Sequence, residues 1–248
     1  MSQYKLTYFN LRGRAEPIRM ALIVSGTPFE DCRIEVSDWP PKKSTIPGGK
    51  LPILEVTSPC GKKTVMTESM AIARYLAKQH NLMGATDEDY YKIEKTIGQD
   101  NKPSRKNIKE SESQFANSDT VRHTVHFDHV INSTSVKCGD LHDLVYKIAR
   151  SPDAEKPKLI EELKKPENAP RLLNLISETL KSNPSGFVTG EKVSLGDITL
   201  LCTLDQFEAV YPGFLKENYP IFVTHREHVV ALQPKLAEHL KTRPTTIV

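Results

Sequence analysis

An α/β unit of about eighty residues followed by an all-helical domain is the fold class this sequence predicts. Three observations carry it. The first eighty or so residues run strand, helix, strand, loop, strand, strand, helix. Strand signals largely vanish after Asn81–Thr86. From Asp87 onward, helix-period segments alternate with Pro- and Asn-rich breaks as far as Leu240. The boundaries follow: residues 1–82 form the α/β unit, a linker lies near 81–86, and 87–248 form the helical domain.

Lys5–Phe9 reads as a short strand, and strict alternation places Leu6, Tyr8 and Asn10 on one face. Glu16–Val24 reads as a helix. Pro17 suits a first turn, Ile18, Ala21 and Leu22 fall at helical spacing, and Gly26 stands in the C-cap role before Pro28. Phe29–Val36 is a second strand-like run. Asp38–Gly49 holds three prolines and two glycines and is predicted to be loop. Leu51–Val56 and Lys63–Met66 form a strand pair joined by a turn at Ser58–Gly61. Ser69–His80 is an amphipathic helix carrying Ile72, Ala73, Tyr75 and Leu76 on adjacent turns. Farther on, Pro157–Lys165, Ala169–Lys181 and Ser194–Tyr211 have helix patterns. Ser194-Leu-Gly-Asp197 has the spacing of a capping box before the apolar run Ile198–Leu204, and reads as a helix start needed for folding rather than as a ligand site.

Composition narrows the function classes. The chain is 38% hydrophobic and 26% charged, an ordinary globular balance. A net charge of +3, with no Lys/Arg cluster beyond a solvated helix face, predicts no nucleic-acid partner. The N-terminus lacks the basic start and apolar core of a signal peptide, and no stretch is long enough to span a bilayer. A cytoplasmic protein with no membrane partner is therefore expected. Cys32, Cys60, Cys138 and Cys202 are scattered without a C-x-x-C pair, which predicts free thiols. No metal site is expected: His123, His126 and His129, spaced three plus three, drift about 120° around a helix and have no evident partner ligand.

Four short stretches carry chemistry. Tyr8 alone reads as a core aromatic, but it leaves the sheet at a strand end, where open α/β units bind ligands. There its phenol can donate to an anion, and Arg12, Arg14 and Arg19 follow within a few residues. Thr67-Glu68-Ser69 opens a helix, where a hydroxyl and free N–H groups suit a carboxylate, and Glu68 can pair with an ammonium. The bland alternative is a simple N-cap. Lys50-Leu51-Pro52 follows a glycine pair, and a proline opening a strand is often cis, which leaves the Leu51 backbone able to bond a peptide-like ligand. Trp39, the chain's single tryptophan, and Lys43 lie in the preceding loop, where Lys42 and Lys43 also read as solvated lysines. Together these residues describe a site for a small peptide-like molecule with an ammonium, carboxylates and one reactive anion.

Tyr8-Phe-Asn-x-Arg-Gly-Arg-Ala-Glu-x-Ile-Arg19, Asp38-Trp-Pro40, Thr45-Ile-Pro-Gly-Gly-Lys-Leu-Pro52 and Glu68-Ser-x-Ala-Ile-Ala-Arg-Tyr-Leu76 together resemble a glutathione S-transferase of the sigma class. The run Gly84–Gln99 is most similar to flatworm members, and the likeness resumes near Gly139 and continues to the tail. The resemblance implies a thioredoxin-like N-terminal domain, an all-α C-terminal domain and a homodimer. It implies glutathione as co-substrate with no bound cofactor, and conjugation of its thiolate to small hydrophobic electrophiles. By that resemblance Tyr8 hydrogen-bonds the glutathione sulfur, Arg14 supports the thiolate or the electrophile, and Phe9 with Arg14 and helical residues lines the electrophile pocket. Trp39 and Lys43 hold the glycine end, Leu51 pairs with the cysteinyl backbone, and Lys50 and Pro52 flank it in the glutathione site. Glu68 and Ser69 take the γ-glutamyl group, and Asp140 reaches across the dimer to the partner's glutathione ammonium. Many relatives carry glutamine where Glu68 stands.

Asp100–Lys137 interrupts the resemblance. With those residues removed, Ile93 and Ile97 are continued by Cys138, Leu141, Leu144, Val145 and Ile148 in one helical stripe, so the block is spliced into the first long helix of the helical domain. A splice variant, retained intron or gene-model artefact is one origin, and a lineage-specific loop is the other. Some sigma-class relatives isomerise prostaglandin endoperoxide with glutathione, and this is a further expectation. The competing class is a non-catalytic protein of the same fold, crystallin-like or a hydrophobic-ligand carrier. A thioredoxin-type oxidoreductase is set aside, since no cysteine lies near residues 8–14.

Overall fold

A computed structural model describes residues 2–98 and 138–246 of the chain. The block 100–137, with its three histidines, lies outside the described residues. The first unit runs β1 (Gln3–Phe9), α1 (Glu16–Val24), β2 (Glu30–Ile34), α2 (Trp39–Lys42), β3 (Ile53–Thr57), β4 (Lys63–Met66) and α3 (Ser69–Gln79). Its sheet has the order β2-β1-β3-β4, with β1 parallel to β2 and antiparallel to β3, and β4 antiparallel to β3. This is the thioredoxin-like arrangement that was expected.

Local chemistry explains the boundaries. α1 begins with Pro17 in its first turn, where a missing N–H costs nothing. It stops at Gly26, whose φ of +69° lets Gly26 N–H and Thr27 N–H turn back onto the carbonyls of Ile23 and Leu22. The segment 38–49 departs from the expected loop. It winds into the one-turn helix α2 flanked by 3-10 turns at 36–38, 43–45 and 47–49. Pro40 and Pro41 do not prevent this, because they fall in a first turn whose N–H groups need no partner. The Leu51–Pro52 bond is cis, as expected.

The helical part runs α4 (Asp87–Ile97), α5 (Cys138–Arg150), α6 (Lys156–Leu163), α7 (Ala169–Lys181), α8 (Leu195–Val210), α9 (Phe214–Asn218), α10 (Pro220–Ala231) and α11 (Pro234–Thr242). On both sides of the interruption the stripe faces inward: Ile93, Ile97, Cys138, Leu141, Val145 and Ile148 are buried, and Leu144 is partly buried. Both α4 and α5 pack on α8.

α8 is the axis of the fold. It is buried on nearly every side, from Leu195 to Phe207, as its almost unbroken apolar run requires. One core joins Leu6, Ile18, Leu54, Ile72 and Leu76 of the α/β unit to Ile198 and Leu201 of α8. A second lies between α8 and α5, α7 and α10, through Leu141, Leu173, Leu204, Phe207 and Phe222. The α/β unit therefore shares its core with the helical part. The start of α8 is the expected capping box: Ser194 Oγ accepts from Asp197 N–H, and the Asp197 carboxylate accepts from Ser194 N–H at 2.9 Å. Asp197 is fully buried and also takes Val188 N–H and His225 Nε2, each at 2.8 Å.

Candidate active site

Tyr8 lies near the C-terminal end of β1, and its ring is buried with the Leu6 face of the sheet. The chain then doubles back through Leu11–Arg14, and Arg14 N–H donates to Tyr8 Oη at 3.2 Å. That bond fills one acceptor position of the phenol and leaves its own O–H to donate elsewhere. A hydroxyl that already accepts a hydrogen bond is polarised into a better donor. The return is possible because position 13 is glycine with φ +42°: a Cβ there would stand 2.6 Å from Tyr8 Oη and 2.6 Å from Leu11 Cδ1. Gly13 is thus a site residue that motif reading passed over. Its one sequence signal is a glycine set between two arginines just after a strand.

Burial raises the Tyr8 pKa. The Arg14 amide and the charges of Arg14 and Arg19 pull it down, Tyr146 pushes it up, and the balance stays above the ordinary phenol value. The group is therefore a protonated donor at neutral pH, not a base.

The three arginines after Tyr8 do not act alike. Arg14 is exposed and lines the cleft described below. Arg19 is fully buried, with its guanidinium 5.9 Å from the Tyr8 ring centroid. It donates to the carbonyls of Leu11 and Arg12 at 3.0 and 3.2 Å, and pairs with Asp31 at 3.1 Å. Arg12 is buried too, and burial lowers its pKa. Of the three, only Arg14 stands exposed at the cleft; Arg19 and Arg12 are built into the scaffold, Arg19 acting on the Tyr8 phenol from behind.

Of the remaining predicted residues, Phe9 and Trp39 are the ones in ring contact with this point. Phe9 meets Tyr8 edge-on at 5.4 Å between centroids, and Trp39 meets Phe9 edge-on at 5.5 Å, so three rings link the strand end to α2. Lys43 is exposed at the end of α2, beside Gly49. Lys50 is exposed and Pro52 buried, and the β3 ladder begins only at Ile53, past Leu51. Glu68 has φ +68° and ψ +106°, a conformation that costs a non-glycine residue about 1–3 kcal/mol. Its side chain caps nothing, and Ser69 is the first helical residue rather than the N-cap. The simple N-cap reading therefore fails. The first N–H groups of α3 carry no side-chain cap, which is the arrangement an anionic group meets at a helix N-terminus.

A cleft runs from this loop into the helices. Gly13, Arg14, Ser69 and Met70 form one wall, and Ile97, Cys138, His142, Thr203 and Gln206 the other. His142 Nδ1 lies 2.7 Å from Gln206 Oε1. Phe9 faces Trp39 and is not among these walls. Asp140 is not in this cleft either. It borders a separate groove with Lys147 and Arg171. Among the described residues, no group of three or more His, Cys, Asp or Glu is placed to hold a metal ion.

The family model for the N-terminal domain of glutathione S-transferases matches residues 4–78, and that for the C-terminal domain matches residues 139–243. The chain belongs to the glutathione S-transferase family. It is 40% identical over 242 residues, 98% of each chain, to the glutathione S-transferase class-mu 28 kDa isozyme of Schistosoma japonicum. The sigma class glutathione transferase of Fasciola hepatica superposes on it with a TM-score of 0.80, 37% identity and coverage of 100% of this chain and 99% of that one. The expected likeness to the sigma class is borne out by that structure, although the schistosome relative carries the class-mu name. Human hematopoietic prostaglandin D synthase is 46% identical over 97 residues, 39% of this chain and 46% of that one.

Proposed function

We propose that this glutathione transferase binds reduced glutathione along the strand-end crevice and joins its sulfur to small hydrophobic electrophiles in the adjoining cleft. The observation that carries this reading is the Tyr8 hydroxyl, protonated and held by the amide of Arg14, a residue that with Gly13 lines the cleft. A free thiol with a pKa near 8.5 is mostly protonated at neutral pH, and each unit of lowering by a donor is worth about 1.4 kcal/mol. Glutathione loses its thiol proton to solvent, Tyr8 O–H donates to the sulfur anion, and the anion attacks carbon. A C–S bond forms as the leaving group departs with its electron pair, or as a proton adds in the case of an enone. In this reading Arg14 adds positive charge, the γ-glutamyl group meets Glu68 and Ser69 at the start of α3, and Lys50–Pro52 present backbone to the cysteinyl unit. Trp39 and Lys43 hold the glycine end. We place the reaction in the cytoplasm, in keeping with four free cysteines among the described residues.

A homodimer, with Asp140 reaching the partner's glutathione, completes this reading. Its support is family membership and the position of Asp140 outside its own chain's cleft. Sedimentation of the full chain tests it.

The test of function is conjugation of glutathione to a generic aromatic electrophile by the purified full-length chain. Turnover lost in Tyr8→Phe supports the reading, and a folded chain without turnover contradicts it. A second reading, glutathione-dependent isomerisation of a prostaglandin endoperoxide, is favoured by the relatives named as prostaglandin D synthases. Its assay is product formation without net consumption of glutathione.

A further inference from the structure

We infer that Arg243, just past the C-terminal helix, is a positioning residue for the chemistry at Tyr8. It acts through Glu16 and Arg19 on the loop whose amide holds the phenol, and the inference rests on the functional reading above. The contacts form a continuous chain. Arg243 Nη1 donates to Glu16 Oε1 at 3.0 Å, and Nη2 donates to Asp205 of α8. Glu16 Oε2 pairs with Arg19 Nη1 at 3.3 Å. Arg19 Nη1 in turn donates to the carbonyls of Leu11 and Arg12, the two residues before Gly13, and so sets the direction in which Arg14 N–H points. The tail makes a second contact of its own: Thr246 Oγ1 accepts Arg12 N–H at 3.2 Å. Three backbone groups of one short turn are thus pinned, directly by Thr246 or through Arg19 and Glu16 by Arg243, by residues more than 220 positions away.

The physical chemistry makes Arg243 more than filler. Arg12, Arg19 and Arg243 converge around Glu16 and Asp205, with His239 Nε2 2.9 Å from Glu16 and Arg226 Nε 2.9 Å from Asp205. Buried guanidinium groups repel unless carboxylates stand between them. The planar Arg243 fork spans two carboxylates at once, which a lysine cannot do. Removing it leaves Glu16 to His239 and Arg19 and takes one of Asp205's two cations away. The carbonyls held by Arg19 then lose their fixed reference. Since an oriented donor works only at hydrogen-bond distance and angle, a shift of a few tenths of an ångström in the Arg14 amide weakens the Tyr8 donor without touching the cleft.

The experiment titrates the thiol of bound glutathione by thiolate absorbance in the full-length chain, in Arg243→Met and in Arg243→Lys, alongside kcat and the KM for the electrophile. The expected result for Arg243→Met is an apparent thiol pKa raised by about half to one unit. Turnover then falls about 3- to 10-fold below that pKa, with the electrophile KM unchanged. Arg243→Lys, which keeps the charge and is the variant to rely on if Arg243→Met does not fold, shows a smaller shift of the same sign. A folded variant of either kind whose bound thiol titrates as in the parent chain overturns the inference. A parent chain that binds no glutathione, or binds it without lowering its thiol pKa, overturns the functional reading itself, which separates the two failures.

Discussion

The backbone N–H of Arg14 and the phenol oxygen of Tyr8 meet at 3.2 Å, and the turn between them closes only because residue 13 has no side chain. Gly13→Ala therefore puts a methyl on the Tyr8 hydroxyl and forces a positive φ on alanine. The expected outcome is a loss of about tenfold or more in kcat/KM for glutathione, with a fall in stability of about 1 kcal/mol or more. Steady-state kinetics and urea unfolding of the variant check both.

Acid stability rests in part on Glu16. Burial would raise its pKa, but the hydrogen bond and charge of His239, with the charges of Arg243 and Arg19, hold it at about 2 against an ordinary 4.5. A depressed carboxyl contributes stability that is complete above its unfolded value and is lost as pH falls through its folded value. The window here is about pH 4.5 down to 2. Its size is about 3 kcal/mol. Denaturant unfolding at neutral pH, pH 4 and pH 3 should show stability falling through that window, and Glu16→Gln should flatten the fall.

Three of the thiols should separate in a native-state labelling experiment. Cys60 is exposed, and its thiol is lowered by the Ser58 hydroxyl at 3.1 Å and by the Lys62 amide. Burial pushes Cys138 up to about 12 and drives Cys202 upward as well. A thiol reagent near neutral pH should modify Cys60 first and leave Cys138 and Cys202 untouched until the chain unfolds. Equal rates at Cys60 and Cys138 would contradict the packing of α5 on α8.

Asp197 should be among the least replaceable residues outside the site. It caps α8, holds Val188 N–H and pairs with buried His225. Asp197→Ala is expected to cost about 3–5 kcal/mol, and Ser194→Ala about 1 kcal/mol. Thermal unfolding of the two variants gives the comparison.

Much of this molecule could be read from local signals. α1 begins and ends where Pro17 and Gly26 place it, and α8 begins at its Ser194–Asp197 capping box, because those signals act within a few residues. Residues 38–49 were misread because prolines that break a helix interior are welcome in a first turn. At the site, Arg14 and Ser69 line one cleft and Tyr8 meets the Arg14 amide, while Phe9 turns to Trp39 and Asp140 lies elsewhere. What could not be read is the support beneath the site. Arg19 looked like charge offered to a ligand and is instead fully buried, bonded to two carbonyls. The Glu16–Arg243 contact spans 227 positions and leaves no trace in any local pattern.

The most direct measurement is the ultraviolet titration of the glutathione thiol bound to the full-length chain and to Tyr8→Phe. The account predicts a bound thiol pKa below its free value in the parent chain. In Tyr8→Phe it should rise by one to two units, with turnover near neutral pH down about 10- to 100-fold, the worth of one hydrogen bond to a charged group. An unchanged thiol pKa in a folded Tyr8→Phe that still binds glutathione would contradict it.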